Sequence, residues 1–290
     1  MVSLSLFLFL LGTPAIAQDN TTPQATPTPA IDNATWLPSD VSRHILAIYR
    51  EGQAFGNRAT VFSKVGDSIT VSRNFLYPFG VGRYDLAHYA YLQEIITYYG
   101  ADNAHIGNSF INESVAAREG WRSDHVLDPN RRDQRYCEPN EMPLVCEYRL
   151  VRPSIAIIML GTNDVGFRPT EAILQDMETV VHFTAELGII PVVTTIPMRP
   201  DVPERVIEYN RGLHHLANER AIPIIALYDY TSSLPNYGLT TDNVHLSSSP
   251  YGMTGTATFN AENLQYGYVM RNLATLDMLY RIHTLISTQG

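Results

Sequence analysis

Cysteine, positive charge and long apolar runs are all scarce in this chain, and each scarcity excludes something. Only Cys137 and Cys146 are present. A metal site built on them would need more ligands close by, and the nearest histidine is His125. In an oxidising compartment the pair would instead close loop 138–145 as a disulfide, worth roughly 3 kcal/mol in the chain-entropy model. The net charge is -9, so nucleic acid is not an expected partner, because phosphate binding needs clustered Lys and Arg. The densest basic stretch, Arg131-Arg132 with Arg135, is broken by Asp133 and reads as a solvated loop. The apolar run at residues 4–11 is far short of the roughly 20 residues a membrane span needs, so no stable membrane insertion is expected.

That short run has another reading. It precedes Ala15-Ile16-Ala17, a small-x-small pattern, so residues 1–17 read as a secretory signal peptide, although no Lys or Arg comes before the run. No cysteine follows it, so a lipid-anchored form is not indicated. The expected location is secreted: extracellular or in the cell envelope. Residues 18–35, dominated by Thr, Pro, Asn and Ala, bury too little to order themselves and read as a linker. No second linker interrupts residues 36–290, which are expected to form one domain. Internal repeats are missing. So is a metal motif: His214-His215 are adjacent and point to different helix faces, whereas a zinc helix places two histidines four apart.

Strand and helix patterns alternate through that domain. Residues 59–65 alternate around Val61, Phe62 and Val65 and end at Gly66; 154–160 is a short apolar run ending at Gly161; 189–196 and 223–228 read as further strands. Helical spacing covers 83–99, 170–187, 202–220 and 261–286. The expectation is a three-layer α/β/α sandwich on a parallel sheet. Sites in such sheets form beyond the carboxyl ends of the strands, where Gly66-Asp67-Ser68 and Gly161-Thr162-Asn163-Asp164 both fall.

Ser68 is answered far downstream by Asp242-Asn243-Val244-His245. A serine hydroxyl needs a base within hydrogen-bond reach, and the base needs a group that fixes its tautomer. His245 suits the first role and Asp242 the second, if the chain turns back at Asn243. Asp67 and Asp164 also invite reading as a carboxylate pair for glycoside chemistry. Their place in strand-end turns favours structural hydrogen bonding instead.

Gly66-Asp67-Ser68, Gly161-Thr162-Asn163-Asp164 and Asp242-x-x-His245 together resemble the first, third and last blocks of the GDSL-type, or SGNH, hydrolases. These are esterases and lipases on a flavodoxin-like α/β/α sandwich. The resemblance implies Ser68 as nucleophile, His245 as general base and then acid, and Asp242 as the orienting carboxylate. It also implies an oxyanion hole from the Ser68 N–H, the Asn163 side-chain amide and a glycine N–H of the second block. For that glycine, Gly107 and Gly120 are both candidates, with residues 105–110 as a possible strand before it; Gly120 is preferred because it precedes a helix start with free N–H groups. Ile69 stands where the family usually has leucine. Residues 73–82 lack the helical pattern that often follows the serine, and 247–260 is a Gly, Ser and Thr-rich insertion; either segment is a candidate wall of the acyl or alcohol pocket.

The expected chemistry is ester hydrolysis through an acyl-enzyme without a cofactor, on a small-molecule or polysaccharide ester. Short-acyl or carbohydrate esters come first, since 17 tyrosines offer faces for sugar rings. The alternatives are a lipase or lysophospholipase for longer chains, acyl transfer to a sugar hydroxyl, and a glycan-binding protein that keeps the fold without the activity. Oligomeric state is left open.

Overall fold

A computed structural model describes Met1 and residues 37–289. Met1 apart, the expected signal peptide at 1–17 and linker at 18–35 lie outside the described residues.

Four parallel strands stand side by side in chain order among the described residues: β1 Arg58–Gly66, β2 Pro153–Met159, β3 Ile190–Thr194 and β4 Ile224–Ile225. Every residue of β2 and β3 is buried. Strands covered on both faces need apolar side chains on both, which is why they read as unbroken apolar runs. The helices in chain order are α1 Ser39–Ala54, α2 Ser68–Val71, α3 Tyr77–Gly80, α4 Gln93–Gly100 and α5 Pro143–Val151. They continue with α6 Thr170–Glu186, α7 Pro203–Glu219, α8 Leu227–Ser232, α9 Gly252–Gly255 and α10 Gly267–Gln289.

Successive residues of β1 point to opposite faces of the sheet and show what covers each. Phe62 meets Tyr99 of α4 edge-on at 5.4 Å, and α4 packs on α10, which in turn touches α1. On the other side Ser63 Oγ donates to Glu147 of α5 at 2.8 Å. Tyr148 of α5 is hydrogen-bonded to Thr184 of α6 at 2.9 Å, and α7 packs on α6. The architecture is the expected α/β/α sandwich.

Two features of the sheet place the site. Gly66 at the end of β1 lies opposite Met159 at the end of β2, so the chain after each strand leaves the same edge at neighbouring points. On its other side Gly66 forms a parallel bridge with Ala117, its N–H donating to Ala116 O at 3.2 Å while its own carbonyl accepts from Arg118 N–H at 3.2 Å. With that bridge as an edge strand, the order becomes the 2-1-3-4-5 of flavodoxin-like sheets.

Several elements differ from expectation, three of them through a polar contact that outcompetes the local pattern. Residues 105–110 form turns, not a strand. Asn112 Oδ1 accepts from His105 and Ile106 N–H at 3.2 and 2.8 Å, which takes up donors a ladder would use. The helix expected over 83–99 is split into a 3-10 turn, Ala87–Leu92, and α4. Asp85 is held extended by backbone bonds to Ala257 and Phe259 of the insertion at 3.0 and 2.9 Å, and its side chain accepts from Ala87 N–H. The last strand is cut to Ile224–Ile225 because α8 begins at Leu227, where Thr195 Oγ1 accepts from Tyr228 N–H at 2.9 Å. The long terminal helix starts at Gly267, after a separate turn at Asn263–Gln265. Cys137 and Cys146 are joined by a disulfide, and α5 begins at Pro143, so residues 143–145 of the span read as loop are helical.

Candidate active site

Asp67 and Ser68 occupy the turn between β1 and α2. Asp67 is the N-cap: its Oδ1 accepts from Ile69 N–H at 2.9 Å, a bond that stabilises the first turn of a helix. Ser68 therefore opens α2, where its own N–H has no intrahelical carbonyl to bond. Its side chain is half-buried, whereas Asp67 beneath it is fully buried.

Buried charge from the far end of the chain supports this turn. Arg271 of α10 is 1% exposed; it donates from Nη1 to Ile69 O at 2.7 Å and from Nη2 to Thr70 Oγ1 at 3.0 Å. Its guanidinium carbon lies 3.6 Å from the centroid of the Phe75 ring. Burial raises the Asp67 carboxyl, while the Ile69 N–H and the Arg271 charge pull it down. Burial lowers the Arg271 guanidinium to about 10, opposed by Tyr268 and Asp67. Neighbouring Asn272 accepts from Leu76 N–H at 2.9 Å and donates to Asn74 O and Thr256 O, both at 2.9 Å. It thereby ties segment 74–76 to the insertion.

His245 reaches the same turn from the opposite end of the sequence. Its Nε2 is 2.9 Å from Ser68 Oγ and its Nδ1 is 2.7 Å from Asp242 Oδ2. Asp242 closes the loop on itself: Oδ1 accepts from Thr240 Oγ1 at 2.7 Å and from the Val244 and His245 N–H groups at 2.9 Å each. Asn243 takes the left-handed conformation that the turn requires, with φ 59°. Burial pushes the Asp242 carboxyl up, but the hydrogen bonds from Thr240, His245 and Val244 outweigh it and hold the group well below the usual carboxylate range. With Asp242 ionised at Nδ1, Nδ1 carries the ring proton and Nε2 is left to accept from Ser68.

The third group comes from the β2 end. Gly161 has φ 113°, and a Cβ there would lie 2.4 Å from the Tyr209 ring, so the turn into Thr162-Asn163 needs glycine. Asn163 Nδ2 donates to Trp121 O at 2.9 Å, which leaves it a second N–H, and the residue lines the same depression as Ser68. Asp164 is fully buried and tethers the neighbouring loop: it accepts from Ser123 N–H and Oγ at 3.1 and 3.0 Å and from Arg168 Nη1 at 2.7 Å. Burial raises this carboxyl, with Arg168 and Ser123 opposing. Asp67 and Asp164 are thus hydrogen-bonded supports of two strand-end turns.

Ser68, Gly120, Asn163 and His245 line one depression, walled by Arg73, Asn74, Glu119, Thr240 and Ser248. Of the two candidate glycines, Gly120 lines it, with φ 69°. Gly107 lies in the turn at 103–108, its carbonyl accepting from Ala104 N–H. Both segments suspected as walls contribute, 73–82 through Arg73 and Asn74 and 247–260 through Ser248. Arg271, Asn272 and Thr240 escaped the sequence reading. The available signal was polar residues inside an apolar helical stripe, Arg271-Asn272 between Met270 and Leu273.

Solved structures with a similar chain path include a lipase/acylhydrolase from Enterococcus faecalis, 17% identical over 76% of this chain and 94% of that one, TM-score 0.47. A GDSL-like lipase from Bacteroides thetaiotaomicron is 14% identical, with 82% and 98% coverage and a TM-score of 0.45. A carbohydrate esterase family 3 protein from Talaromyces cellulolyticus is 15% identical, with 75% and 97% coverage and a TM-score of 0.48. No curated protein matches the chain. A sequence model of one family matches residues 65–252, a span that runs from the end of β1 past His245 and takes in more than half of the protein: the chain belongs to the GDSL-like Lipase/Acylhydrolase family.

Proposed function

We propose that the protein is a secreted serine esterase acting on short-acyl esters, carbohydrate esters first among them. The reading is carried by one observation: an unbroken hydrogen-bonded chain from Asp242 Oδ2 through the His245 ring to Ser68 Oγ, at 2.7 and 2.9 Å. Ser68 Oγ attacks the ester carbonyl carbon while His245 Nε2 takes its proton, and Asp242 stabilises the imidazolium. The oxyanion is received by the Ser68 N–H, the Gly120 N–H and the free N–H of Asn163 Nδ2. Collapse of the tetrahedral species returns the proton to the leaving alcohol. Water, activated by the same histidine, then attacks the acyl-enzyme and releases the acid.

The walls of the depression favour a short acyl group. Polar and charged side chains (Arg73, Asn74, Glu119, Thr240, Ser248) outnumber apolar ones, so a long alkyl chain would strip water from them without replacing its hydrogen bonds. Secretion is supported by the apolar run and small-x-small pattern of residues 1–17, and by the Cys137–Cys146 disulfide, since such bonds persist in oxidising compartments. Among the described residues no helix is long and apolar enough to cross a membrane. Residues 36–290 would form the hydrolase domain behind the 18–35 linker.

A p-nitrophenyl ester series from acetate to palmitate, assayed with wild type and Ser68→Ala, tests this reading. The expected result is highest activity on acetate and a loss of about 10⁶-fold in kcat in the variant. A long-chain optimum moves the assignment to a lipase, and a folded protein inert on the whole series overturns esterase function.

A further inference from the structure

A second cavity, of about 400 Å³, lies beside the depression and shares Val71, Ser72, Arg73 and Glu119 with it as common wall. Its size falls within the roughly 300–1,000 Å³ of small-molecule sites. One of its lining residues is out of place by any packing argument. Lys64 stands in β1, four residues before Ser68, in the buried stretch that runs from Val61 to Gly66, and is itself 7% exposed. Its ammonium donates to Phe110 O at 2.9 Å and pairs with no carboxylate among the described residues. An ammonium carries three donors, and a buried charge short of acceptors is costly.

The rest of the lining says what could supply those acceptors. Glu113 and Arg118 offer an acceptor and donors of opposite charge, while Tyr77 and Tyr136 offer aromatic faces. A fatty chain would leave the ammonium without a partner. An anionic ligand would meet Glu113 and Glu119 as well as the cations. A neutral polyol satisfies the set, because each hydroxyl both donates and accepts and the ring's C–H face can rest on a tyrosine.

We propose that this cavity is the subsite for the sugar of a carbohydrate ester, with the Lys64 ammonium as the donor that holds its hydroxyls. The inference rests on the esterase reading above and names where its specificity lies. Burial lowers the Lys64 ammonium to about 8, against the pull of Glu147 and Glu113 and with Arg271 adding to the fall; bound hydroxyl oxygens would replace part of the lost hydration.

The test compares kcat/KM for 6-O-acetylglucose and for ethyl acetate, followed by pH-stat, in wild type, Lys64→Met and the exposed rim variant Tyr136→Ala. Lys64→Met is expected to lower the sugar-to-ethyl ratio at least tenfold, mainly through KM for the sugar ester, and Tyr136→Ala about threefold. An unchanged ratio in both variants, or an equal fall on both esters, would mean a structural lysine and overturn the subsite. So would a wild-type preference for acetylated glucuronate over acetylglucose, which would make the cavity an anion site. A wild type inert on ethyl acetate and p-nitrophenyl acetate alike removes the esterase reading, and this one with it. Should Lys64→Met fail to fold, Tyr136→Ala and Arg118→Ala decide the question from the rim.

Discussion

Ser68 and His245 stand 2.9 Å apart, yet they are held in place by opposite means. The serine turn rests on buried charge gathered from distant parts of the chain: Asp67 as cap, Arg271 from α10 beneath, Asp164 and Arg168 alongside. The histidine is held by a local turn in which Asp242 collects four hydrogen bonds from within five residues. That loop is open to solvent, with the His245 and Asp242 side chains 42% and 51% exposed. The contrast separates the forces involved. Buried interactions tie the position of Ser68 to global stability, whereas a solvent-facing loop can place His245 while contributing little to it.

Substitutions on the two sides should therefore fail differently. Asp242→Asn is expected to lower kcat by about 10⁴-fold through loss of the tautomer and of the imidazolium's partner, with the thermal midpoint nearly unmoved; a large fall in midpoint would break the contrast. Arg271→Met should do the reverse. It removes the donors to Ile69 O and Thr70 Oγ1, and leaving such buried acceptors unpaired typically costs about 1–3 kcal/mol of stability, which would appear as a lower urea midpoint at unchanged m-value. Asn163→Ala bridges the two regions, because its amide is the proposed oxyanion donor and also donates to Trp121 O. Loss of one oxyanion donor corresponds to about 3 kcal/mol in transition-state binding, so kcat should fall about 100-fold with KM little changed.

A smaller, pH-dependent effect sharpens the comparison. The folded-state pKa of Lys64, about 8, lies below its ordinary 10.5. The unfolded chain therefore binds more protons between these values, and stability rises with pH across that window. Below about 8 the full penalty of the buried charge applies. Measured as a difference in unfolding free energy, wild type should gain on Lys64→Met as pH rises from about 8 to about 10.5, whereas Asp242→Asn should track wild type over the same range. A flat difference for Lys64→Met would show that the folded lysine keeps its ordinary pKa, as a well-solvated ammonium does.

Much of this architecture was legible because the signals were local. β2 and β3 announce themselves as short, largely apolar runs, and α6 and α7 as clean helical stripes ended by Gly188 and Arg220. Ser68, Asn163, Asp242 and His245 were readable because each lies in short turn chemistry just past a strand or in a closed loop. The elements read wrongly were decided by partners far away in sequence. Asp85 is extended because Ala257 and Phe259 pair with it, and 105–110 is a set of turns because Asn112 takes its donors. α1 went unread although Val41, Ile45, Leu46 and Ile48 mark its buried face.

The sequence by itself determined the alternation of strands and helices that gives the fold class, the family and the candidate site residues, since periodicity, turn residues and side-chain chemistry are properties of neighbouring positions. Only the tertiary structure decided that Gly120 lines the depression with Ser68, that Arg271 lies beneath the nucleophile turn, and that the Lys64 ammonium is buried at a cavity wall. Each of these depends on register and burial, and both are set by contacts between segments tens to hundreds of residues apart.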